Sequence, residues 1–442
     1  MTEHAISQTY VSLSPGRERT LPKVAEVTAI PDARVAPIVR LAFYGYVATI
    51  PFETVNLGIP VEITAISLGL LLLTLVFQIT LCLRKPPVAF ICFFVYLAIF
   101  ALPVVTDESA FSDEAFWQLI VLTQLVVMCW VSFNLMKSEQ VARTAITVFA
   151  TFCVLLAFLQ VTGVSETTTN YEESIQRTTS FGFHPNNLAR MFALCLLILV
   201  GISYGGMRNP IKARGVVWIM FAVVAFAIIE TGSRGGLLAL MAGLSFIVLR
   251  RGDVKAKIRN VIVLLAGFGI FSFIAFESDV FRSRFDRAMN DGDLARREQI
   301  YPTAWAMFLE KPLVGWGGKA SEFELGARLA HEDEVSKNPH NLILYILVAT
   351  GVAGGLPMLL GLTLTAGAAW RARKGPRGVL PLSLFSTVVV ANMSGLWLHN
   401  KMHWFVIAYT LSSTSVFVVR KVRGPKSDLE VETDGALVEK YA

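Results

Sequence analysis

"PHNLILYILVATGVAGG", Pro339 to Gly355, decides the fold. A polar knot, Asn338-Pro339-His340-Asn341, runs without a spacer into sequence apolar enough for a bilayer. About 20 consecutive apolar residues match the hydrocarbon core of a membrane. Working outward from this stretch, such segments recur at 36–52, 62–83, 87–104, 115–135, 142–163, 187–205, 214–230, 235–250, 258–277, 340–368, 378–396 and 402–420. Of the 442 residues, 54% are hydrophobic and only 16% charged, against about 25% charged in soluble proteins. The expected fold class is an all-α polytopic membrane protein of about 12 transmembrane helices, with the lipid bilayer as its first partner.

Charge orders these segments. The loops at 83–87, 136–143, 206–214, 250–259 and 371–377 together hold sixteen Lys or Arg. Those of opposite parity hold almost none: 53–61 and 105–114 have zero, and 164–186 has Arg177 alone. Basic loops stay in the cytoplasm, so both termini are expected there, as an even helix count also requires. The net charge of +6 is therefore a topology signal, and no nucleic-acid partner is implied. The expected organisation is a flexible cytoplasmic tail (1–35), nine helices (36–277), a large outward loop (278–339), three helices (340–420) and a second cytoplasmic tail (421–442). No cleavable signal peptide is visible in 1–35, which lacks an apolar core. All five cysteines lie inside apolar segments, and no structural disulfide is expected.

The loop 278–339 is long enough to carry function. Within it "REQIYPTAWAMFLEK" (297–311) places Ile300, Ala304 and Phe308 at helical spacing, which predicts an amphipathic interfacial helix. Arg296 and Arg297 open it, with Arg282, Arg284 and Arg287 upstream. Such a cluster suits a diphosphate; a solvated patch balanced by Asp286, Asp291 and Asp293 is the plainer reading.

Three polar clusters fall at outward helix N-termini: "HPNNLAR" (184–190), "GSRGG" (232–236) and the opening stretch. A helix N-terminus carries partial positive charge and free N–H donors. Ser233 is a natural N-cap, which puts Arg234 in the first turn, where the dipole opposes it unless an anion is bound. Snorkelling to lipid phosphates is the competing explanation. With Asn338 as N-cap and Pro339 at the first helical position, His340 falls in the first turn, where the dipole favours its neutral form. A neutral imidazole there can accept a proton from a hydroxyl; a capping or interfacial role is equally compatible. Gly351, Gly354 and Gly355 are expected to let a neighbouring helix approach. No Walker loop, dinucleotide glycine pattern or zinc-type Cys/His spacing occurs, so no cofactor and no metal are expected.

Together these pieces resemble the O-antigen ligase and polysaccharide polymerase family of bacterial envelopes. "HN" at 340–341, nine residues, then "GVAG" at 351–354 is similar to the family's His-[Asn/Ser/Gln]-x9-Gly-x-x-Gly motif. "HPNNLA" resembles its Pro-Asn-x-x-Ala element and "GSRGG" its Ser-Arg-Gly element. Arg297 four residues before Tyr301, then "KPLVGWG" (311–317), resembles its Arg-x-x-x-Trp and Pro-Leu-x-Gly-x-Gly run, with Tyr in place of the commoner Trp. The resemblance implies a metal-independent glycosyltransferase of the inner membrane, with its active site and large loop facing the periplasm. The donor would be a glycan on undecaprenyl diphosphate. The acceptor would be lipid A–core for a ligase, or a glycan for a repeat-unit polymerase of O-antigen or exopolysaccharide. Other polysaccharide-assembly proteins would be partners. By the same carry-over Arg234 and Arg297 hold the diphosphate and His340 handles the acceptor hydroxyl, with Asn186, Asn341, His184 and Arg296 as substrate-binding candidates. A polytopic transporter or lipid-linked sugar flippase is the remaining class; it should carry charges in mid-membrane, whereas these ionisable groups sit at helix ends.

Overall fold

The computed structural model describes residues 25–29, 35–54, 62–106, 112–164, 166–170, 176–204, 214–248, 254–277, 282, 286, 296–329, 336–415 and 417–421. Each of the twelve apolar segments contains a helix. α1 is Pro37–Thr49. α2, Ile63–Leu75, passes through a 3-10 turn into α3, Ile79–Cys82. There follow α4 (Val88–Thr106), α5 (Ser112–Leu135), α6 (Glu139–Val161), α7 (Pro185–Tyr204), α8 (Arg214–Glu230), α9 (Arg234–Val248) and α10 (Val254–Glu277). Beyond them lie α11 (Arg297–Glu310), α12 (Gly318–Arg328), α13 (Leu342–Ala372), α14 (Leu380–Met393) and α15 (Lys401–Ser412). Among the described residues, seven helical stretches are long and apolar enough to cross a membrane: Ile63–Cys82, Val88–Val105, Asp113–Leu135, Glu139–Val161, Pro185–Ser203, Val254–Phe273 and Leu342–Ala372. The last apolar segment is helical only to Ser412.

Two short antiparallel ladders qualify the all-helical expectation. Ala25–Ala29, inside the stretch expected to be a flexible tail, pairs with Phe417–Lys421. Glu166–Asn170 pairs with Gln176–Ser180, setting Thr167 opposite Thr179 and Thr168 opposite Thr178. β-Branched threonines suit such ladders.

The core is one aromatic and aliphatic cluster shared by most helices, with Phe90, Phe93, Phe149, Tyr345, Trp397 and Trp404 essentially inaccessible. Phe93 and Trp404 meet edge to face at 5.4 Å. The bundle has two distinct ends. At one, Arg377 ahead of α14 is 4% exposed. It pairs with Glu139 at 2.8 Å and donates to the carbonyls of Met136 and Tyr409 and the hydroxyls of Ser412 and Ser413. That joins the C-termini of α5 and α15 to the N-termini of α6 and α14. The basic loops 136–143 and 371–377 therefore lie at the same end. The opposite end gathers the N-termini of α7, α9 and α11 at the C-terminus of α14.

α13 is one run of 31 residues but not one straight helix. Gly351 has φ 59° and ψ −162°, a region open essentially to glycine alone. The chain Pro312–Gly317 plugs into this break. Trp316 and Gly317 donate their N–H groups to the carbonyls of Val348 and Ala349, both at 2.9 Å. Val352 and Ala353 donate to the carbonyls of Pro312 (2.8 Å) and Leu313 (3.0 Å). The backbone groups freed by the break are thus satisfied inside the protein, as an apolar setting requires. A Cβ on Gly351 would collide with the Leu313 backbone, and one on Gly315 with that of Ala349. This corrects the expectation for the glycines. Gly351 admits a loop rather than a neighbouring helix, and Gly354 is covered by Thr350 of its own helix. It is Gly361, against the Phe93 ring, that lets α4 approach.

Candidate functional site

α7 begins at Pro185 because His184 caps it. The His184 carbonyl accepts from Asn187 and Leu188, and its Nδ1 accepts the Asn186 N–H at 3.2 Å. Thr231-Gly232-Ser233 turns the chain from α8 into α9. Gly232 takes φ 59° there, and Ser233 Oγ accepts the Gly236 N–H at 3.2 Å. Ser233 is therefore the N-cap and Arg234 opens the first turn, as expected. The two N-termini are joined directly: Ser233 Oγ donates to Asn186 Oδ1 at 3.0 Å. The α7 residues then reach the end of α14. Asn187 Oδ1 accepts from Trp397 Nε1 at 2.9 Å and from Arg190 Nη1 at 3.2 Å.

α11 is amphipathic as the spacing predicts. Ile300, Ala304, Met307 and Phe308 are buried with Leu325 and Val348, while Trp305 and Leu309 are exposed. Its first residue, Arg297, donates from Nη2 to the Ser394 carbonyl at 2.9 Å, and Tyr301 Oη donates to the Met393 carbonyl at 3.2 Å. Arg190 Nη2 donates to the same Ser394 carbonyl at 2.6 Å and to Ser394 Oγ at 3.0 Å. Gly235 lies against this point, since a Cβ there would stand 2.8 Å from Ser394 Oγ. Arg190, Arg297 and the first turn of α9, which Arg234 opens, thus converge on the C-terminus of α14. Two guanidinium groups that share one carbonyl acceptor carry like charges and repel. Among the described residues no carboxylate pairs with Arg190 or Arg297.

His340 departs from its expected place. Asn341, not Asn338, caps α13, its Oδ1 accepting the Leu344 N–H at 3.1 Å. His340 stands just before the cap in a left-handed conformation (φ 47°), its N–H held by Asn338 Oδ1 at 3.0 Å. Pro339 is followed by this turn, not by helix, so the first-turn dipole argument does not apply to the ring. His340 is half-buried, and further along α13 Val348 packs against α11. Arg296 is exposed, in a left-handed conformation at the N-cap of α11. Asn341 spends its oxygen on the cap. Of the upstream cluster, Arg282 and Asp286 are exposed; Arg284, Arg287, Asp291 and Asp293 lie outside the described residues.

Sequence reasoning missed Arg190, Asn187, Ser394 and Trp397. Arg190 was visible in "HPNNLAR", three residues after Asn187 on one helix face. Ser394 and Trp397 carry no signal, because their role is fixed by contacts 204 and 210 residues away.

Residues 215–359 match the family model described as O-antigen ligase, a span that holds Arg234, Arg297 and His340. A Pseudomonas aeruginosa protein named O-antigen ligase is 28% identical over 239 residues, covering 52% of this chain and 54% of its own. The chain thus spans about half the length of the relative it matches. Motifs, family model and relative point the same way: residues 215–359 are similar to the O-antigen ligase family.

Proposed function

We propose that the protein is a membrane glycosyltransferase that moves a glycan from undecaprenyl diphosphate to an acceptor at the periplasmic face, acting as an O-antigen ligase with lipid A–core as acceptor. The observation that carries this reading is the convergence of Arg190 and Arg297 on Ser394, with no carboxylate paired to either among the described residues, beside the N-terminus that Arg234 opens. In the bacterial inner membrane, the basic end around Arg377 faces the cytoplasm with both termini. The twelve helices cross between that end and the site, and 278–339 is the periplasmic loop.

In this mechanism the bond between the anomeric carbon and the diphosphate oxygen breaks, and its electron pair leaves with the diphosphate. Arg234 and Arg297 stabilise the charge that develops there. The acceptor hydroxyl oxygen forms the new bond to the anomeric carbon, and its proton goes to His340. Asn186 and His184 hold the α7 terminus against Ser233. The leaving group supplies the free energy, so no nucleotide is consumed.

The test is a gel of surface polysaccharide from a deletion strain complemented with wild type or His340→Ala. Full-length polymer kept on the lipid carrier, with bare-core lipopolysaccharide, is expected from the deletion and from His340→Ala. Single repeats capping the core, or lost exopolysaccharide with normal lipopolysaccharide, would identify a polymerase instead. Full restoration by His340→Ala would remove His340 from the chemistry.

A further inference from the structure

The mechanism above leaves one buried charge unused. Arg190, on α7, is 2% exposed. Its Nη atoms donate to Asn187 and Ser394, its guanidinium lies 5.9 Å from the Trp397 ring, and its Nε meets no acceptor. Arg377, at the opposite end, shows how this fold accommodates a buried arginine for structure alone. It has a carboxylate, Glu139, and acceptors on all three nitrogens. Among the described residues Arg190 has no carboxylate partner; it shares its carbonyl acceptor with a second arginine, and that second arginine, Arg297, also has an unpartnered buried Nε.

The charges do not balance. The C-terminus of α14 offers roughly half a negative charge to two guanidinium groups. The N-termini of α7 and α9 close on the same spot and add positive potential. Neither is a spare ammonium that could shed its proton, since arginine stays charged. A buried surplus of this kind is costly unless an opposite charge is supplied.

We infer that Arg190 is the buried base of an anion site whose rim is Arg234 and Arg297, and that this site takes a lipid-linked diphosphate; the inference rests on the donor chemistry proposed above. Arg190 is a positioning residue. It holds the Ser394 carbonyl to which Arg297 is also tied, and it contributes charge that water does not screen. The diphosphate meets the rim, while Arg190 sets the geometry and the field behind it.

The full chain in detergent is titrated with undecaprenyl diphosphate and, separately, with uncharged undecaprenol, as wild type, Arg190→Gln and Arg190→Lys. Wild type is expected to prefer the diphosphate at least tenfold. Arg190→Gln should lose at least tenfold in diphosphate affinity and keep its affinity for undecaprenol, whereas Arg190→Lys, which keeps the charge but not the fork, should stay within about threefold of wild type. A folded Arg190→Gln protein with wild-type diphosphate affinity overturns the role of Arg190 and leaves the donor assignment standing. Wild type without preference for the diphosphate overturns the donor assignment, and this inference with it. If Arg190→Gln does not fold, Arg190→Lys decides: affinity within threefold supports the charge, and a tenfold loss in a folded protein overturns it.

Discussion

Arg190 and Arg297 donate to one acceptor, the carbonyl oxygen of Ser394, at 2.6 and 2.9 Å. They come from α7 and α11, and their meeting point is the C-terminus of α14. Among the described residues no carboxylate balances these two like charges, and in the proposed function the diphosphate does. The same contact ties the large loop to the helix bundle, so the proposed anion site and the anchoring of the loop are one structure.

His340 is expected to be dispensable for folding and indispensable for transfer. His340→Ala should lower transfer by roughly 100-fold or more, the scale of lost proton transfer, with an unchanged melting temperature. His340→Gln separates the roles, because it can hydrogen-bond but cannot take up the proton. Activity of His340→Gln near wild type would mean the ring only positions the acceptor.

The break in α13 is expected to be intolerant of a side chain. Gly351→Ala forces a Cβ into the Leu313 backbone at a φ that costs a non-glycine residue about 1–3 kcal/mol. Gly355→Ala meets only the flexible end of Leu347, at 2.9 Å, and is the control. Thermal melts of the purified proteins should show a drop for the first and little for the second; equal melts would discount the plugged break.

Arg377 serves structure at the end remote from the site. Arg377→Met leaves Glu139 with Arg143 as its remaining partner and strips the carbonyls of Met136 and Tyr409 and the hydroxyls of Ser412 and Ser413 of their buried donor, a loss of about 1–3 kcal/mol for each buried group left unsatisfied. Stability should fall sharply while the folded fraction keeps wild-type affinity for undecaprenyl diphosphate. Weakened diphosphate binding in folded Arg377→Met would break the contrast drawn between Arg377 and Arg190.

His399, between α14 and α15, has a shielded Nε2 without a partner. Burial and then the charge of Lys319 lower its pKa from 6.5 to about 4. In that interval the unfolded chain binds the extra proton, so stability is fully present above about pH 6.5 and declines as pH falls toward 4. The melting temperature should fall between pH 7 and 5 in wild type and fall less in His399→Gln. Identical pH slopes would remove His399 as the cause.

Sequence alone determined the twelve apolar segments, the parity of the basic loops, the amphipathic face of α11 and the Ser233 cap ahead of Arg234. Hydropathy, charge and capping are local properties, readable within a few residues. Tertiary structure decided the rest. "PHN" looked like the first turn of a helix, but Asn341 competes with Asn338 for the cap and wins, leaving His340 in a left-handed turn. "GVAGG" looked like a packing face, but the loop Pro312–Gly317 pairs with the backbone at Gly351, and no local pattern announces a partner more than thirty residues upstream. Arg190 read as the end of a motif until Ser394, 204 residues away, gave it a second arginine for company. A local sequence window carries propensity, whereas a site made of like charges exists only where the fold brings distant helix ends together.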